Sequence, residues 1–160
     1  MRIAETKVFT IEELDPKAKA KALDWLRQSN DYPWHEENLA AVKAFCARFG
    51  IEVKNYEMGG YTPNWFDTNA SPAHFRGYTL KDAKAILGTY PTGLYLDDVM
   101  NEAFVKQFEE TGNAYESFFY AVHQAAMTIR QDIENCDEDE YLIELALANE
   151  YEFTENGRFF

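Results

Sequence analysis

Between Asp132 and Glu144 the chain carries seven carboxylates, Asp132, Glu134, Asp137, Glu138, Asp139, Glu140 and Glu144, and no basic residue. The chemistry open to such a stretch is electrostatic capture. If it is helical, Glu134 and Glu138 stand one turn apart while Asp137, Glu140 and Glu144 line another edge. Carboxylates three or four residues apart on a helix start from β-carbons about 5–6 Å apart. That is comparable with neighbouring phosphates along one strand, so the array suits a groove built for a nucleic-acid backbone. Asp97, Asp98 and Glu102 add three carboxylates upstream. The alternative is an acidic helical face that serves solubility alone.

The stretch is the densest part of a wider imbalance. Residues 1–80 hold 11 acidic and 10 basic side chains, residues 81–160 hold 17 and 5, and the whole chain has a formal charge of −13. Such a field repels nucleic acid and anionic membrane and steers the protein toward a basic protein surface. The expected partner is therefore a basic protein surface, such as one that binds nucleic acid. Lys17, Lys19 and Lys21 alternate with alanine and diverge by about 200° per step around a helix, so they make no patch for direct nucleic-acid binding.

Other residues are weighed for catalysis or metal binding. His35-Glu36-Glu37-Asn38-Leu39 begins like a zinc-protease helix, but Leu39 stands where the second histidine is required. His74 near Arg76, with Asp67 and Asn69 before it, could form a general base and anion clamp, against a His74 that only fixes a loop. Asp98 and Glu102 could offer oxygen ligands one turn apart, although acids are favoured at helix N-termini anyway. His123 falls beside an apolar stripe and reads as a partly buried side chain. Cys46 and Cys136 match no metal or redox spacing and read as buried free thiols in a reducing cytoplasm. No catalytic residue, cofactor or metal is assigned. A metal-dependent hydrolase is carried only as a lesser alternative. A second surface, Tyr61, Trp65, Phe66 and Tyr90, is the alternative partner-binding set, through apolar contact.

The elements that must position these groups follow from pattern. At 160 residues, 46% apolar, the chain reads as a single α+β domain, 1–160. An antiparallel sheet is expected from strands near 2–10, 51–57, 73–80 and 150–160, packed against about five helices. Asp15-Pro16 opens a first helix, with Asp15 as N-cap and Pro16 at the first helical position. A second helix runs from about Trp34, after the aromatic turn Tyr32-Pro33-Trp34, and buries Leu39, Val42, Phe45, Cys46 and Phe49. The 51–80 segment reads as a hairpin with an ornate loop. Helices follow over Leu96–Phe108, Tyr115–Ile133 and Asp137–Asn149. Asn156-Gly157 suits a type I′ hairpin turn near the C-terminus. No apolar run approaches the length of a membrane span.

Several stretches together carry a resemblance: Glu13–Ala22 after an opening strand, Val42–Gly50, Ala73–Gly77 and Asn149–Gly157. They resemble a family of small acidic phage and prophage proteins, some of them labelled antitoxins of toxin–antitoxin systems. The resemblance covers most of the chain and implies no catalytic residue. It implies a genomic setting in which acidic cytoplasmic proteins often inhibit host defence or host nucleic-acid enzymes. The function expected is a non-enzymatic acidic protein that blocks a basic site, with an antitoxin or assembly module as the alternative.

Overall fold

The computed structural model describes residues 6–59 and 62–160. Tyr61 and the 2–5 part of the expected first strand lie outside the described residues. Among these residues the class is α+β, with six α-helices and two pairs of short antiparallel strands. Among the described residues no helix is long and apolar enough to cross a membrane. Two compact units form, one from the chain up to Tyr32 and from Glu134 onward, the other from Pro33–Ile133.

The first unit joins the two ends of the described chain. Strand β1 (Val8–Phe9) pairs antiparallel with β4 (Phe153–Thr154), Val8 opposite Thr154 and Phe9 opposite Phe153. Helix α1 (Pro16–Ser29) starts as the sequence predicts, with the Asp15 carboxylate accepting from Lys17 N at 2.8 Å and Ala18 N at 3.0 Å. Its apolar face, Ala18, Ala22, Leu23 and Leu26, packs with Ile11, Leu14 and Phe153 and with Leu142 and Ala146 of α6 (Asp139–Ala148). Trp25 stacks on Phe159 at 4.3 Å between ring centroids and meets Tyr151 and Phe153 edge-on.

The second unit holds α2 (His35–Ala47), α4 (Tyr95–Thr111) and α5 (Ala114–Cys136) up to Ile133. Val42, Phe45 and Cys46 of α2 are fully buried, as are Met100 and Phe104 of α4 and Phe118, Ala121 and Ala125 of α5. Rings from all three helices meet: Phe45 stacks on Phe118 at 5.9 Å and meets Phe104 edge-on at 6.2 Å. Gly112, at φ 67°, ends α4 in the left-handed conformation that only glycine adopts cheaply.

Three expectations need correction. Residues 73–80 are not a strand. They hold a 3-10 turn (Pro72–Phe75) and the start of α3 (Leu80–Lys84). Local hydrogen bonds, Ser71 N to His74 Nδ1 and Thr79 N to Asp82 Oδ2, outcompete a ladder there, and Gly77 at φ 76° breaks any extended run. The return strand of the hairpin is instead β3 (Trp65–Thr68), paired with β2 (Val53–Glu57) with Glu57 opposite Trp65 and Tyr56 opposite Phe66. The four expected strands therefore make no single sheet, because β1 pairs only with β4 and β2 only with β3.

The third correction concerns the last turn. Asn156 does not take the positive φ that type I′ requires, since only Gly157 does, at 75°. Thr154 and Arg158 close a three-residue loop, with Gly157 N–H donating to Thr154 O and Thr154 N–H to Arg158 O, both at 2.8 Å. A Cβ on Gly157 would overlap the Ala18 carbonyl oxygen and stand 2.8 Å from its carbon. Gly77 has nearly the same φ, and a Cβ there meets nothing within 4 Å. Gly157→Ala is therefore expected to cost more than about 2 kcal/mol in urea unfolding, and Gly77→Ala only about 1 kcal/mol.

Candidate partner-binding surfaces

The expected acidic set is divided between the two units. Glu134, Asp137, Glu138, Asp139, Glu140 and Glu144 belong to the first, while Asp97, Asp98, Glu102 and Asp132 belong to the second. The 132–148 stretch is not one helix. α5 ends at Cys136, Asp137 N and Glu138 N bond back to Glu134 O and Asn135 O, and Glu138 is extended at φ −70°, ψ 146°. The one-turn relation between Glu134 and Glu138 is therefore lost.

α6 then restarts the helix with Asp139 and Glu140 in its first turn, where acids complement the positive end of the dipole. Asp139 pairs with Arg27, whose Nη1 also meets Asp24 at 3.2 Å and whose Nε donates to Asp137 O at 3.1 Å. Asp139 thus works inside the unit, tying α1 to the start of α6. Glu138, Glu140 and Glu144 are exposed and form no ion pair among the described residues. Glu140 and Glu144 sit one turn apart on α6, and residues 134–160 offer nine carboxylates against the single Arg158.

Asp97 is a correction to the expected surface. It is 2% exposed, and its Oδ2 accepts from Thr92 N, Thr92 Oγ1 and Gly93 N, each at 3.0 Å. One turn on, Asn101 is 1% exposed, accepts from Arg48 Nη1 at 2.9 Å and donates to Thr89 O at 2.9 Å. Arg48 Nη2 reaches the same carbonyl at 3.1 Å. This buried pair pins the Thr89–Gly93 loop to α4. Asp98 is half-buried and Glu102 exposed. Their charges, Asp98 first, together with a hydrogen bond to Asp98, hold the Tyr90 phenol above its ordinary pKa.

Among the described residues, Trp65, Phe66 and Tyr90 of the alternative aromatic set make no ring contact with one another. Trp65 and Tyr90 are 44% and 53% exposed, yet neither makes a ring contact among the described residues. Phe66 stacks on Tyr56 across the hairpin at 6.3 Å. Tyr61 lies outside the described residues.

The candidate catalytic groups have structural employment. His74 Nδ1 accepts from Ser71 N at 3.1 Å, and Asn69 Oδ1 accepts from Glu52 N at 2.7 Å, so the two are spent on separate local bonds. His123 is exposed, not partly buried. Among the described residues no three His, Cys, Asp or Glu side chains converge to hold a metal. Neither cysteine is in a disulfide: Cys46 is buried and Cys136 half-buried.

Sequence reasoning missed the two aromatics set beside a concavity. Trp34 and Tyr95, 53% and 72% exposed, border a cleft of about 210 Å³ in the second unit. The Tyr32-Pro33-Trp34 turn was the available signal for one of them. No family model, curated protein or solved structure matches the chain.

Two outcomes follow from this geometry. Asp97→Ala leaves Thr92 and Gly93 amides unpaired and should cost about 2–3 kcal/mol in denaturant unfolding, with faster hydrogen exchange at those two amides. Burial pushes the Cys46 thiol from 9.0 up to about 12. Its contribution to stability is complete below the unfolded value and is lost as pH climbs toward the folded one. In the folded protein at pH 8, Cys46 should therefore resist iodoacetamide and alkylate only after denaturation, as read by mass spectrometry.

Proposed function

We propose that the protein is a non-enzymatic binding protein that captures a basic, nucleic-acid-binding site on a host enzyme or defence complex in the cytoplasm. The observation that carries the reading is the exposed pair Glu140 and Glu144, one turn apart on α6, with Glu138 exposed at its N-cap. Glu138, Glu140 and Glu144 have no ion-pair partner among the described residues, and the cation beside that helix, Arg27, is already shared by Asp24 and Asp139. Carboxylates left without counter-charge gain most from a basic partner, because association releases the counter-ions of both surfaces. Asp139 and Asp97 are removed from the binding set, since each is engaged within its own unit. The phage setting implied by the family resemblance agrees with such a role.

The alternative is an antitoxin or assembly module that binds mainly through apolar contact at Trp65, Phe66 and Tyr90. Salt separates the two. Capture of the partner from host lysate on immobilised protein should fall steeply between low and physiological salt. It should be lost in the triple variant Glu138→Ser, Glu140→Ser, Glu144→Ser, whose circular dichroism stays native. Capture that survives both, and disappears in Trp65→Ala with Tyr90→Ala, would overturn the electrostatic reading in favour of the apolar one.

A further inference from the structure

In the first unit, the start of α1 and the C-terminal turn border a groove of about 1060 Å³. Three lysines line it. Lys17 and Lys21 stand one turn apart on α1, and Lys7 precedes β1, so the fold brings a third cation to two that share a helix side. All three are exposed, and none forms an ion pair among the described residues, in a chain that holds 28 acids. Another wall is the turn from Thr154 to Arg158, which Gly157 seats against the Ala18 carbonyl. There Thr154 Oγ1 donates to Asn156 Oδ1 at 2.8 Å, which engages the amide oxygen and leaves the Nδ2 hydrogens as the side-chain donors of Asn156.

We propose that this groove binds an oligophosphate chain, free or as part of a nucleotide. The site is separate from the carboxylates of α6 and draws on none of them. An ammonium is a compact point charge that suits phosphate, whereas a planar carboxylate is gripped best by the arginine fork. No arginine lines the groove among the described residues. Side chains one helical turn apart start from β-carbons about 5–6 Å apart, which lets Lys17 and Lys21 converge on one short chain of phosphates. Lys7 and Asn156 add donors from two other elements. A single-stranded nucleic acid would want aromatic faces on which to stack its bases, and no aromatic side chain lines the groove among the described residues.

Two lining carboxylates, Asp15 and Glu155, and the formal charge of −13 oppose an anion there. Asp15 is already engaged, since its Oδ1 accepts from Lys17 N at 2.8 Å and Ala18 N at 3.0 Å. Glu155 is exposed and is the lining acid that works against the ligand. Charges farther away than about 8 Å are largely screened at physiological salt. Three cations against two acids, one of them tied to backbone amides, leave the groove positive.

Titration of the whole chain with sodium tripolyphosphate, followed by NMR, should shift the Lys17 and Lys21 amides and the Asn156 side-chain amide to saturation. ATP should bind within about three-fold of tripolyphosphate, because no ring in the groove reads the base, and orthophosphate about ten-fold more weakly. Lys7→Ala, Lys17→Ala and Lys21→Ala should each weaken binding about five-fold, while Lys17→Arg keeps it and Glu155→Gln tightens it about two-fold. Lys19 lies on the same helix without lining the groove, so Lys19→Ala should change nothing. No saturable binding of tripolyphosphate would overturn the proposal. So would an equal loss in Lys19→Ala, the mark of unspecific attraction, or orthophosphate binding as tightly as tripolyphosphate. ATP binding more than about ten-fold tighter than tripolyphosphate would overturn it as well, since the base and not the phosphate chain would then be recognised. None of these variants touches α6, so each outcome bears on the groove alone.

Discussion

The meeting of rings from α2, α4 and α5 is the constraint on which the second unit depends. Phe45 and Phe49 of the α2 segment lie against Phe104 of α4 and Phe118 of α5 at centroid separations of 5.1–6.2 Å. Each buried ring contributes about 1.5–3 kcal/mol of transfer free energy, and edge-on geometry adds about 0.5–1.5 kcal/mol per pair. By fixing three helices against one another, the rings also fix where Trp34, Tyr95 and Asp132 stand. The cleft follows from that packing, with the N-cap residues Trp34 and Leu94 at its border.

Polar groups do a different task, that of deciding where loops run. Asp97 and Asn101, one turn apart and both buried, hold Thr89, Thr92 and Gly93 on α4, with Arg48 closing the network from the α2 side. Burying a carboxylate is expensive unless it is answered by donors, and three donors converge on Asp97 Oδ2. In the first unit, Arg27 plays the corresponding part, linking Asp24, Asp139 and the Asp137 carbonyl. These arrangements sort the acidic residues into those that build the protein and those that are left to face solvent.

Much of the architecture is legible in the sequence where local chemistry and apolar period agree. Asp15-Pro16 caps and opens α1, and the three-and-four spacing of Val42, Phe45, Cys46 and Phe49 marks the buried side of α2. Gly112 stops α4. The hairpin was legible as a hairpin but not in its register, because Trp65–Thr68 sits among turn formers that hide its alternation. Residues 73–80 mislead for the opposite reason. Their composition suits a strand, but Phe75 and Tyr78 enter the aromatic core three residues apart, a turn's spacing, and Ser71 and Thr79 bind the next turn's side chains and amides.

The sequence by itself determined the charge and its asymmetry, the places where helices begin and end, and the acid-rich character of the 132–144 stretch. These depend on residue identity and on neighbours within one or two turns. Tertiary structure alone decided that Asp97 is buried and that Asp139 is spent on Arg27, which it meets across 112 positions of chain. It alone brought residues 34, 95 and 132 to one cleft, since helix packing sets distances that no local periodicity encodes.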